Sequence, residues 1–487
     1  MGRHSNYSND MYKQLQEIMG RLDSVEKDLK QEKIEHKEDV DRLEKLIVQK
    51  DKKIKLLEDD NARLRSIINN DSSNTSVPPS SDQKGGKSAN AYNGRKESGR
   101  KAGGQKGRKG TTLTKADVKK KLQNGNCQHC VKHLGTPNDQ PYIVKYVIDL
   151  DVRTVITEVR IHADKTGKYS IPKEYYSDVT YGSNVKALTA ALYSEGVMSN
   201  ERIASFLNTA SSGELELSAG SVYQFCKTLS DKAGTSIMHL EELLLNQNVV
   251  ATDATTVTVN GTQSYIRNFS VLSTVLYRAM KSKSLDALHK ISFLEKYTGI
   301  LIHDHETALY HFGRDHGECN VHIIRYLRKN TEETGNLWSK DLIGLLCEMN
   351  QAKKEAIQRG KSALPSDIID NYTKQYLGLL ERGRLENKNT CHNYAKKDEK
   401  TLLNRLEKYM HNHLLFLHNF EVPFDDNISE RDLRKAKNRQ KMAGGFRKDS
   451  GQEMYCAILT IVETLKRRRM GIIENIRLLF EGTPAIF

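Results

Sequence analysis

The chain has 487 residues and a formal net charge of +14, which leaves room for several domains and favours a polyanionic partner such as nucleic acid. No apolar run approaches the ~18 residues of a membrane span, and the polar start MGRHSNYSND predicts no signal peptide. The seven cysteines show no disulfide spacing pattern. These features argue against membrane and secreted proteins, and we expect a cytoplasmic protein without a membrane partner.

Residues 11–70 contain almost no Gly or Pro and carry a heptad pattern of apolar residues. Leu15, Leu22 and Leu29 recur every seven residues, and the pattern resumes after a four-residue stutter. Asn61 falls at an a position, where a polar residue favours a parallel dimer in one register. The alternative is a lone charged helix, but sixty residues of apolar seam predict a coiled coil that forms a homodimer or a higher oligomer.

Residues 71–121 are rich in Ser, Gly and Lys and cannot form a hydrophobic core. Between positions 84 and 121 there are thirteen Lys and Arg residues and only two acidic residues. This density of positive charge predicts an arm that follows DNA phosphates through counterion release, although a solvated linker is the alternative. The residues that we expect to contact DNA are Lys101, Lys106, Arg108 and Lys109.

Residues 122–180 begin with the motif CQHC, formed by Cys127 and Cys130. One CxxC is half of a zinc ribbon, and only His133 and His162 could complete a zinc site. Because a second cysteine pair is absent, we expect less than one bound zinc per chain and a small β module that resembles a degenerate zinc ribbon.

Residues 181–245 read as short helices, for which Ser199 and Ser218 are expected N-caps. The last two helices resemble a helix-turn-helix, which places Tyr223 and Gln224 near the start of a DNA-recognition helix. The alternative is a plain three-helix packing module.

Residues 246–325 predict the order strand, strand, strand, helix, strand, which is that of the first part of an RNase H-like α/β core. Asp253 lies on the first predicted strand and Asp304 at the end of the fourth. Residues 326–420 predict a helical insertion, and residues 421–487 predict the C-terminal helices of the same core. The expected fold class is therefore multidomain α+β.

Three acidic stretches carry the predicted chemistry: TDATTV around Asp253, LIHDHE around Asp304 and NISERDLR around Glu430. Two strand-borne aspartates and a helix-borne glutamate suit Mg²⁺ or Mn²⁺ in a two-metal phosphoryl-transfer site. Each residue also has a structural alternative, because Asn427 with Glu430 fits a capping box and the aspartates fit strand-edge or turn positions. The weaker substitutes for the three carboxylates are Glu306, Asp315, Asp425 and Asp426.

Basic residues surround the third acid on the predicted helix. We expect these side chains to hold the DNA backbone, and they are Lys435, Lys437, Arg439 and Lys441.

Several motifs resemble those of the insertion sequence 66 family of DDE transposases over almost the whole chain. NTSVPPSSD resembles the family's NSSxPPSSD, GGQKGRKGTTL resembles GGQxGHKGxTL, and CQHC resembles CPHC. ECNVHIIRY resembles CxAHxRR, DDNISERDLR resembles DNNxAERxLR, and a glycine-rich stretch follows. TDATTV departs from the family's DET by Ala254, and HDHETALY is a loose match to ADGYAGY.

The resemblance implies a catalytic triad of Asp253, Asp304 and Glu430, with His322 and Arg325 as active-site accessories. It also implies a prokaryotic, nucleoid-associated protein that acts with small accessory transposition proteins. The expected function is Mg²⁺-dependent cleavage of double-stranded DNA at transposon ends and strand transfer into target DNA. The alternatives are a catalytically inactive DNA-binding or repressor protein derived from a transposase, and an RNase H-like nuclease that lacks strand transfer.

Overall fold

The structure, a computed structural model, describes residues 4–70, 74–75, 113–125, 128–132, 143–148, 150, 152–195 and 198–483. Within these residues the helices are α1 (His4–Ile68), α2 (Lys115–Gln123), α3 (Ser183–Glu195), α4 (Asn200–Ala210), α5 (Ala219–Lys232), α6 (Gly234–Leu245), α7 (Leu285–Leu288), α8 (Ser292–Lys296), α9 (Asn320–Thr334), α10 (Trp338–Gln358), α11 (Ser366–Asn387), α12 (Asn393–Lys408), α13 (Met410–His418), α14 (Asn427–Ala443), α15 (Asp449–Arg467) and α16 (Ile472–Phe480). The strands are β1 (Val249–Val259), β2 (Thr262–Ser270), β3 (Val275–Met280), β4 (Ile300–His303) and β5 (Asp315–Glu318).

The chain divides into two compact units. The first comprises Met1–Ala89, Ile324–Leu345 and Thr373–Lys408, and the second comprises Asn90–Ile323, Leu346–Tyr372 and Tyr409–Phe487.

The second unit contains one sheet of five strands in the order β3-β2-β1-β4-β5. Strands β1, β2 and β3 form an antiparallel meander, while β4 and β5 run parallel to β1. Helices α7 and α8 lie between β3 and β4 in sequence, as a parallel crossover requires. The order of strands and helix predicted from residue 248 onward is therefore observed.

Helices α14 and α15 pack on the first three strands, and α13 packs on β5. The continuous core joins strand residues such as Phe269 and Tyr277 to residues of α15 such as Ile458 and Leu459. Helix α15 buries most of its apolar positions because the sheet covers one of its sides and α3 and α5 cover another.

The C-terminal end of α14 is tied to the end of β1 by a glycine pair. Gly444 ends the helix in the left-handed conformation at φ 70°, as C-terminal caps favour. Gly445 has φ 121°, and a Cβ there would lie 2.3 Å from the carbonyl oxygen of Thr258. The absence of a side chain allows Phe446 to donate its amide to Thr258 O at 2.7 Å, which fixes the position of α14.

In the first unit, the C-terminal part of α1 docks on the start of α12. Asp59 accepts hydrogen bonds from the backbone amide of Asn393 at 3.2 Å and 3.3 Å and lies 3.2 Å from His392 Nδ1. A carboxylate at a helix N-terminus is favoured by the helix dipole. Residues 10–58 of α1 are exposed, including the apolar residues of its heptad pattern.

The buried carboxylate of Glu399 organises the helices of the same unit. It accepts hydrogen bonds from the indole of Trp338 at 2.6 Å and from side-chain amides of Asn330, Asn336 and Asn387. These donors lower the pKa of Glu399 against the effect of its burial.

The overall class is mixed α/β and mostly helical, which is consistent with the expected multidomain α+β class. The predicted β module at 122–180 is not observed, since the described residues of that range form no strand. Most apolar side chains that the structure describes in this range are exposed, among them Val147, Val155 and Ile156. Among the described residues, no helix is both long enough and apolar enough to cross a membrane.

Candidate active site

The parallel pairing of β1 with β4 brings Asp253 and Asp304 to the same edge of the sheet. Ala251 pairs with Ile302, and each aspartate lies two residues beyond that pair. Equal steps along neighbouring parallel strands keep the two side chains in register. Of the two aspartates that the sequence predicts as metal ligands, Asp253 therefore lies on β1 and Asp304 directly follows the adjacent strand β4.

Helix α14 carries Glu430 to this edge. The helix begins at Asn427, so Asp426 is the N-cap residue and Glu430 occupies the fourth helical position. The capping box predicted for Asn427 and Glu430 is therefore wrong, because Asn427 is already helical.

Asn268 on β2 connects the first aspartate to α14. Its side-chain oxygen accepts hydrogen bonds from the Asp253 backbone amide at 3.0 Å and from the Ser429 hydroxyl at 2.7 Å. Its side-chain nitrogen donates to Ser429 O at 3.1 Å and to the Ser270 hydroxyl at 3.0 Å. Because Asn268 is fully buried and fully hydrogen-bonded, it fixes β1 against the residue that precedes Glu430.

The electrostatics of the site reflect crowded negative charge. Burial and the neighbouring Asp304 carboxylate raise the pKa of Asp253 to about 6, while Lys283 and Arg267 oppose that rise. The pKa of Asp426 is raised well above its ordinary value, first by burial and then by Asp253, Glu430 and Asp304. Four carboxylates thus interact at one place, which is typical of a site that attracts cations.

His322 lies in the first turn of α9, with its Nε2 at 3.6 Å from Glu430 Oε1. His322 therefore lies beside Glu430, and the accessory role that the resemblance implies for it stays a prediction. Arg325 lies three residues further along α9 and belongs to the other compact unit. Its role therefore stays a prediction.

Glu306, one of the weaker substitutes, is engaged elsewhere. It accepts a hydrogen bond from the fully buried Arg267 at 2.5 Å and pairs with Lys283 at 3.3 Å. Arg267 also donates to the Thr252 hydroxyl at 3.1 Å, so the ion pair holds the chain after Asp304 next to β1.

The remaining substitutes have ordinary partners or no contact with the triad. Asp315 pairs with His411 at 3.0 Å. Asp425 accepts the backbone amide of Asn427 at 3.2 Å. Asp426 differs from both, because it is buried among the carboxylates.

His305 follows Asp304 in the left-handed conformation, with φ 71°. Its Nδ1 lies 2.6 Å from Oε1 of the buried Glu318, which also accepts the Tyr310 hydroxyl at 2.5 Å. The family motif ADGYAGY has Gly at this position, where a left-handed backbone favours Gly. In this chain the contact with Glu318 stabilises the left-handed backbone of His305, which is otherwise costly for a residue other than Gly.

The four cations predicted on α14 fall on two sides of the helix. Lys435 forms ion pairs with Glu195 and Glu463, and the Arg439 guanidinium lies over the Tyr193 ring at 4.4 Å. These two residues are internal contacts, so their predicted contact with DNA is not supported. Lys437 is half-buried and Lys441 is exposed, and neither forms an ion pair with any residue that the structure describes.

The predicted helix-turn-helix residues are accessible. Ser199 and Ser218 cap α4 and α5 as expected, by accepting the amides of Arg202 and Ser221. Tyr223 and Gln224 are exposed in the first half of α5.

Most residues of the predicted DNA arm and one cysteine of the predicted zinc site lie outside the described residues. The DNA-arm residues Lys101, Lys106, Arg108 and Lys109 lie outside the described residues, as does Cys127. Cys130 is a free and exposed cysteine.

The donor set at the sheet edge fits a hard divalent cation. Its members are oxygen ligands that repel one another, and the buried Oδ1 of Asp426 has no hydrogen-bond partner among the described residues. No three His, Cys, Asp or Glu side chains in the described ranges converge as a complete ligand set. A cation would therefore require the carboxylates to turn towards it.

The comparisons with known proteins agree with this arrangement. The model of the family described as Transposase IS66 family matches residues 179–454, which is more than half of the chain. The chain belongs to the IS66 transposase family. The match includes all five strands and the helices α3 to α14. No curated protein and no solved structure matches the chain.

The resemblance to the IS66 family noted from the motifs is thus confirmed. The sequence did not identify Asn268, Lys283 or Glu318 as residues of the site. Of these three, only Glu318 lies within a quoted motif, where it directly precedes Cys319. Asn268 and Lys283 could be found only through the pairing of β2 with β1 and through charge proximity, which single-sequence patterns do not contain.

Proposed function

We propose that this IS66-family chain is a DDE-type DNA transposase with an RNase H-like core, in which Asp253, Asp304 and Glu430 hold Mg²⁺ or Mn²⁺. The observation that supports the proposal best is the β1–β4 register, in which Asp253 and Asp304 each lie two residues beyond the pair formed by Ala251 and Ile302. The strand order 3-2-1-4-5, with three antiparallel strands followed by two parallel ones, is that expected of an RNase H-like sheet.

The bound cations would activate a water molecule and stabilise the charge that develops on the attacked phosphate. In the first step, water oxygen attacks a phosphorus atom at the transposon end, the bond to the 3′ oxygen breaks, and a 3′-hydroxyl is left. In the second step, that hydroxyl oxygen attacks a phosphorus atom of target DNA, releases its proton to solvent, and displaces the 3′ oxygen of the target strand.

The residues of this chain position the carboxylates for both steps. Asn268 fixes the backbone at Asp253 and at Ser429, and His322 restricts the side chain of Glu430 by its contact at 3.6 Å. The buried hydrogen bonds of Asn268 hold the backbone at Asp253 and Ser429, so the reorganisation that a cation requires is confined to the carboxylate side chains. Asp253, with a pKa of about 6, is mostly ionised above pH 7.

DNA binding is assigned to cations outside the carboxylate cluster. We propose that Lys437 and Lys441 contact the backbone near the cut, that Tyr223 and Gln224 contact DNA from α5, and that the arm with Lys101, Lys106, Arg108 and Lys109 supplies sequence-independent affinity. We also propose that α1 pairs two chains, because two transposon ends have to be joined, and that small accessory proteins take part.

The test uses the full-length protein with DNA that carries the two element ends flanking its gene. Labelled ends, intact or nicked in advance, are incubated with a supercoiled plasmid in Mg²⁺, Mn²⁺ or EDTA. Asp253→Asn, Asp304→Asn and Glu430→Gln are compared with the matched control Asp315→Asn, which removes an acidic group outside the cluster. We expect each of the three variants to lose more than about 100-fold in cleavage at unchanged end binding, since they remove proposed metal ligands, and the control to retain activity.

Each alternative has a distinct outcome. End binding without cleavage in any metal would identify an inactive DNA-binding protein or repressor. Cleavage without joining of nicked ends to the plasmid would identify a nuclease that lacks strand transfer. Cleavage by Asp253→Asn within about tenfold of the unaltered protein would disprove the assignment of the site.

A further inference from the structure

Asp426 is a buried acid with one carboxylate oxygen, Oδ1, that has no hydrogen-bond partner among the residues that the structure describes. It is only 1% exposed, and it occupies the N-cap position of α14. The Ser429 amide, the third of the helix, acts on this carboxylate as at an N-cap and opposes the rise of its pKa that burial causes. Since Oδ1 has no partner, capping accounts for at most one of the two carboxylate oxygens.

No positive charge compensates this acid either. Within the residues that the structure describes, Asp426 forms no ion pair, and its Oδ1 has no hydrogen-bond partner. The nearest polar contact behind it is between its own backbone amide and Cys319 Sγ, at 3.3 Å. Burial raises the pKa of the Cys319 thiol well above its ordinary value, so this neighbour carries no charge. Burying a carboxylate costs several kcal/mol unless a proton or a cation neutralises its charge.

The residues around Asp426 favour a cation as the group that neutralises its charge. The charges that act on it belong to Asp253, Glu430 and Asp304, which are the three proposed metal ligands. A fourth acid beside three others increases repulsion in the free protein and increases the attraction for a divalent cation. The family motif DNNxAERxLR has Asn where this chain has Asp426, so the additional carboxylate distinguishes this chain from the motif.

We propose that Asp426 is a fourth carboxylate of the divalent-cation site and binds the cation together with Asp253, Asp304 and Glu430. The inference rests on the proposed function of this site. In the protein without DNA, the fourth carboxylate strengthens the binding of Mg²⁺ or Mn²⁺. A site with only three carboxylates would bind the same cation more weakly.

The experiment measures binding of Mn²⁺ to the full-length protein by isothermal titration calorimetry at pH 7.5, without DNA. Asp426→Asn keeps the size of the side chain and introduces the residue of the family motif, so it should fold. Asp425→Asn is the matched control, because it removes the neighbouring acid on the same turn. Asp253→Asn reports on the proposed site as a whole.

We expect Asp426→Asn to weaken Mn²⁺ binding at least about tenfold and Asp425→Asn to change it less than about twofold. In EDTA, Asp426→Asn should unfold at a higher temperature than the unaltered protein because the repulsion is removed. In saturating Mn²⁺ the order should reverse. A structural role of the carboxylate would instead lower the unfolding temperature in both conditions.

Two results would overturn different statements. If Asp253→Asn weakens Mn²⁺ binding and Asp426→Asn does not, Asp426 is not part of the site, and the proposed function stands. If neither variant changes Mn²⁺ binding, or the unaltered protein binds no Mn²⁺, the metal site of the proposed function is itself wrong.

Discussion

Asn268 and Asp253 face each other across the β1–β2 pair, and Asn268 Oδ1 accepts the backbone amide of Asp253 at 3.0 Å. The same oxygen receives the Ser429 hydroxyl at 2.7 Å. One carboxamide therefore sets the distance between the strand that carries the first proposed ligand and the helix that carries the third. Such a residue is a positioning residue, since it does not itself approach the substrate.

We expect Asn268→Ala to lower DNA cleavage by about 100-fold while end binding stays within about twofold. Removing the carboxamide leaves the Asp253 amide and the Ser429 hydroxyl without partners in a buried place, which should also destabilise the fold by about 2 kcal/mol. Cleavage assays and thermal unfolding measure the two effects. The control is Ser270→Ala, which removes the hydrogen bond to Asp432 and the bond that Asn268 donates from its side-chain nitrogen, but leaves the contacts of Asn268 Oδ1 with Asp253 and Ser429 intact. Equal loss of cleavage in both variants would show that general destabilisation is the cause.

The raised pKa of Asp253 predicts a pH-dependent stability in the absence of metal. The pKa is about 6 in the folded chain and 3.8 in the reference state, so stability from this group is present below pH 3.8 and is lost as the pH rises through 6. In EDTA, Asp253→Asn should therefore unfold at nearly the same temperature as the unaltered protein at pH 4, and at a higher temperature at pH 7.5. The gain in stability at pH 7.5 is at most about 3 kcal/mol. A difference that does not vary with pH would contradict the assigned pKa.

The left-handed backbone of His305 predicts the effect of two substitutions that both remove the imidazole and its Glu318 contact. His305→Gly relieves the backbone and His305→Ala does not, so the glycine variant should be more stable by about 1 kcal/mol. Thermal unfolding of the two variants measures this difference without interference from the lost hydrogen bond. Equal stability would show that the conformation at residue 305 costs nothing.

The two pairs of cations on α14 should affect different properties, one pair DNA binding and the other the stability of the fold. Lys437→Ala with Lys441→Ala should weaken binding to specific and random DNA alike, and each lost phosphate contact should reduce the slope of log affinity against log salt by about 0.9. Arg439→Ala should instead destabilise the fold, because the guanidinium lies over the Tyr193 and Tyr455 rings. Salt-dependent binding and thermal unfolding separate the two classes. A reduced salt slope in Arg439→Ala would restore its predicted contact with DNA.

The sequence predicted the long strands but not the whole sheet. Strand β1 was predictable because VVATDATTVTV is rich in β-branched residues, whereas β5 consists of DHGE and has no β propensity of its own. It pairs because Gly317 fits where a Cβ would lie 2.6 Å from Ile302, a contact that depends on tertiary structure. The expected strands of residues 122–180 have the right composition, but the described residues there have no paired partner, so propensity alone was not sufficient.

For the site, the sequence predicted the acids and not what holds them. Asp253 and Asp304 stand out because each follows or interrupts an apolar run. Asn268 does not stand out, because a single amide in a strand acquires its role only from register. The cations of α14 separate into two pairs, each spaced by four residues. Once the buried side of the helix is known, its period assigns Lys435 and Arg439 to internal contacts and leaves Lys437 and Lys441 on the other side.

The exposed seam of α1 predicts that two chains pair through it. Leu22 and Leu29 are 62% and 48% exposed in the single chain, so changing them removes no contact within that chain. Leu22→Asp with Leu29→Asp should convert a dimer to a monomer, because pairing would bury two charged side chains at each layer of the seam. Light scattering of the full-length protein, alone and with end DNA, measures the change. Each variant chain should still bind one DNA end.

The matched control is Ser24→Asp with Gln31→Asp, which adds the same charge at positions two residues after each leucine and off the seam. This control should remain dimeric and should assemble two ends into one complex, whereas the seam variant should not. The difference arises because pairing raises the effective concentration of the second subunit to roughly millimolar. If the seam variant stays dimeric and joins two ends normally, another surface dimerises the chain, and the seam of α1 serves a different partner.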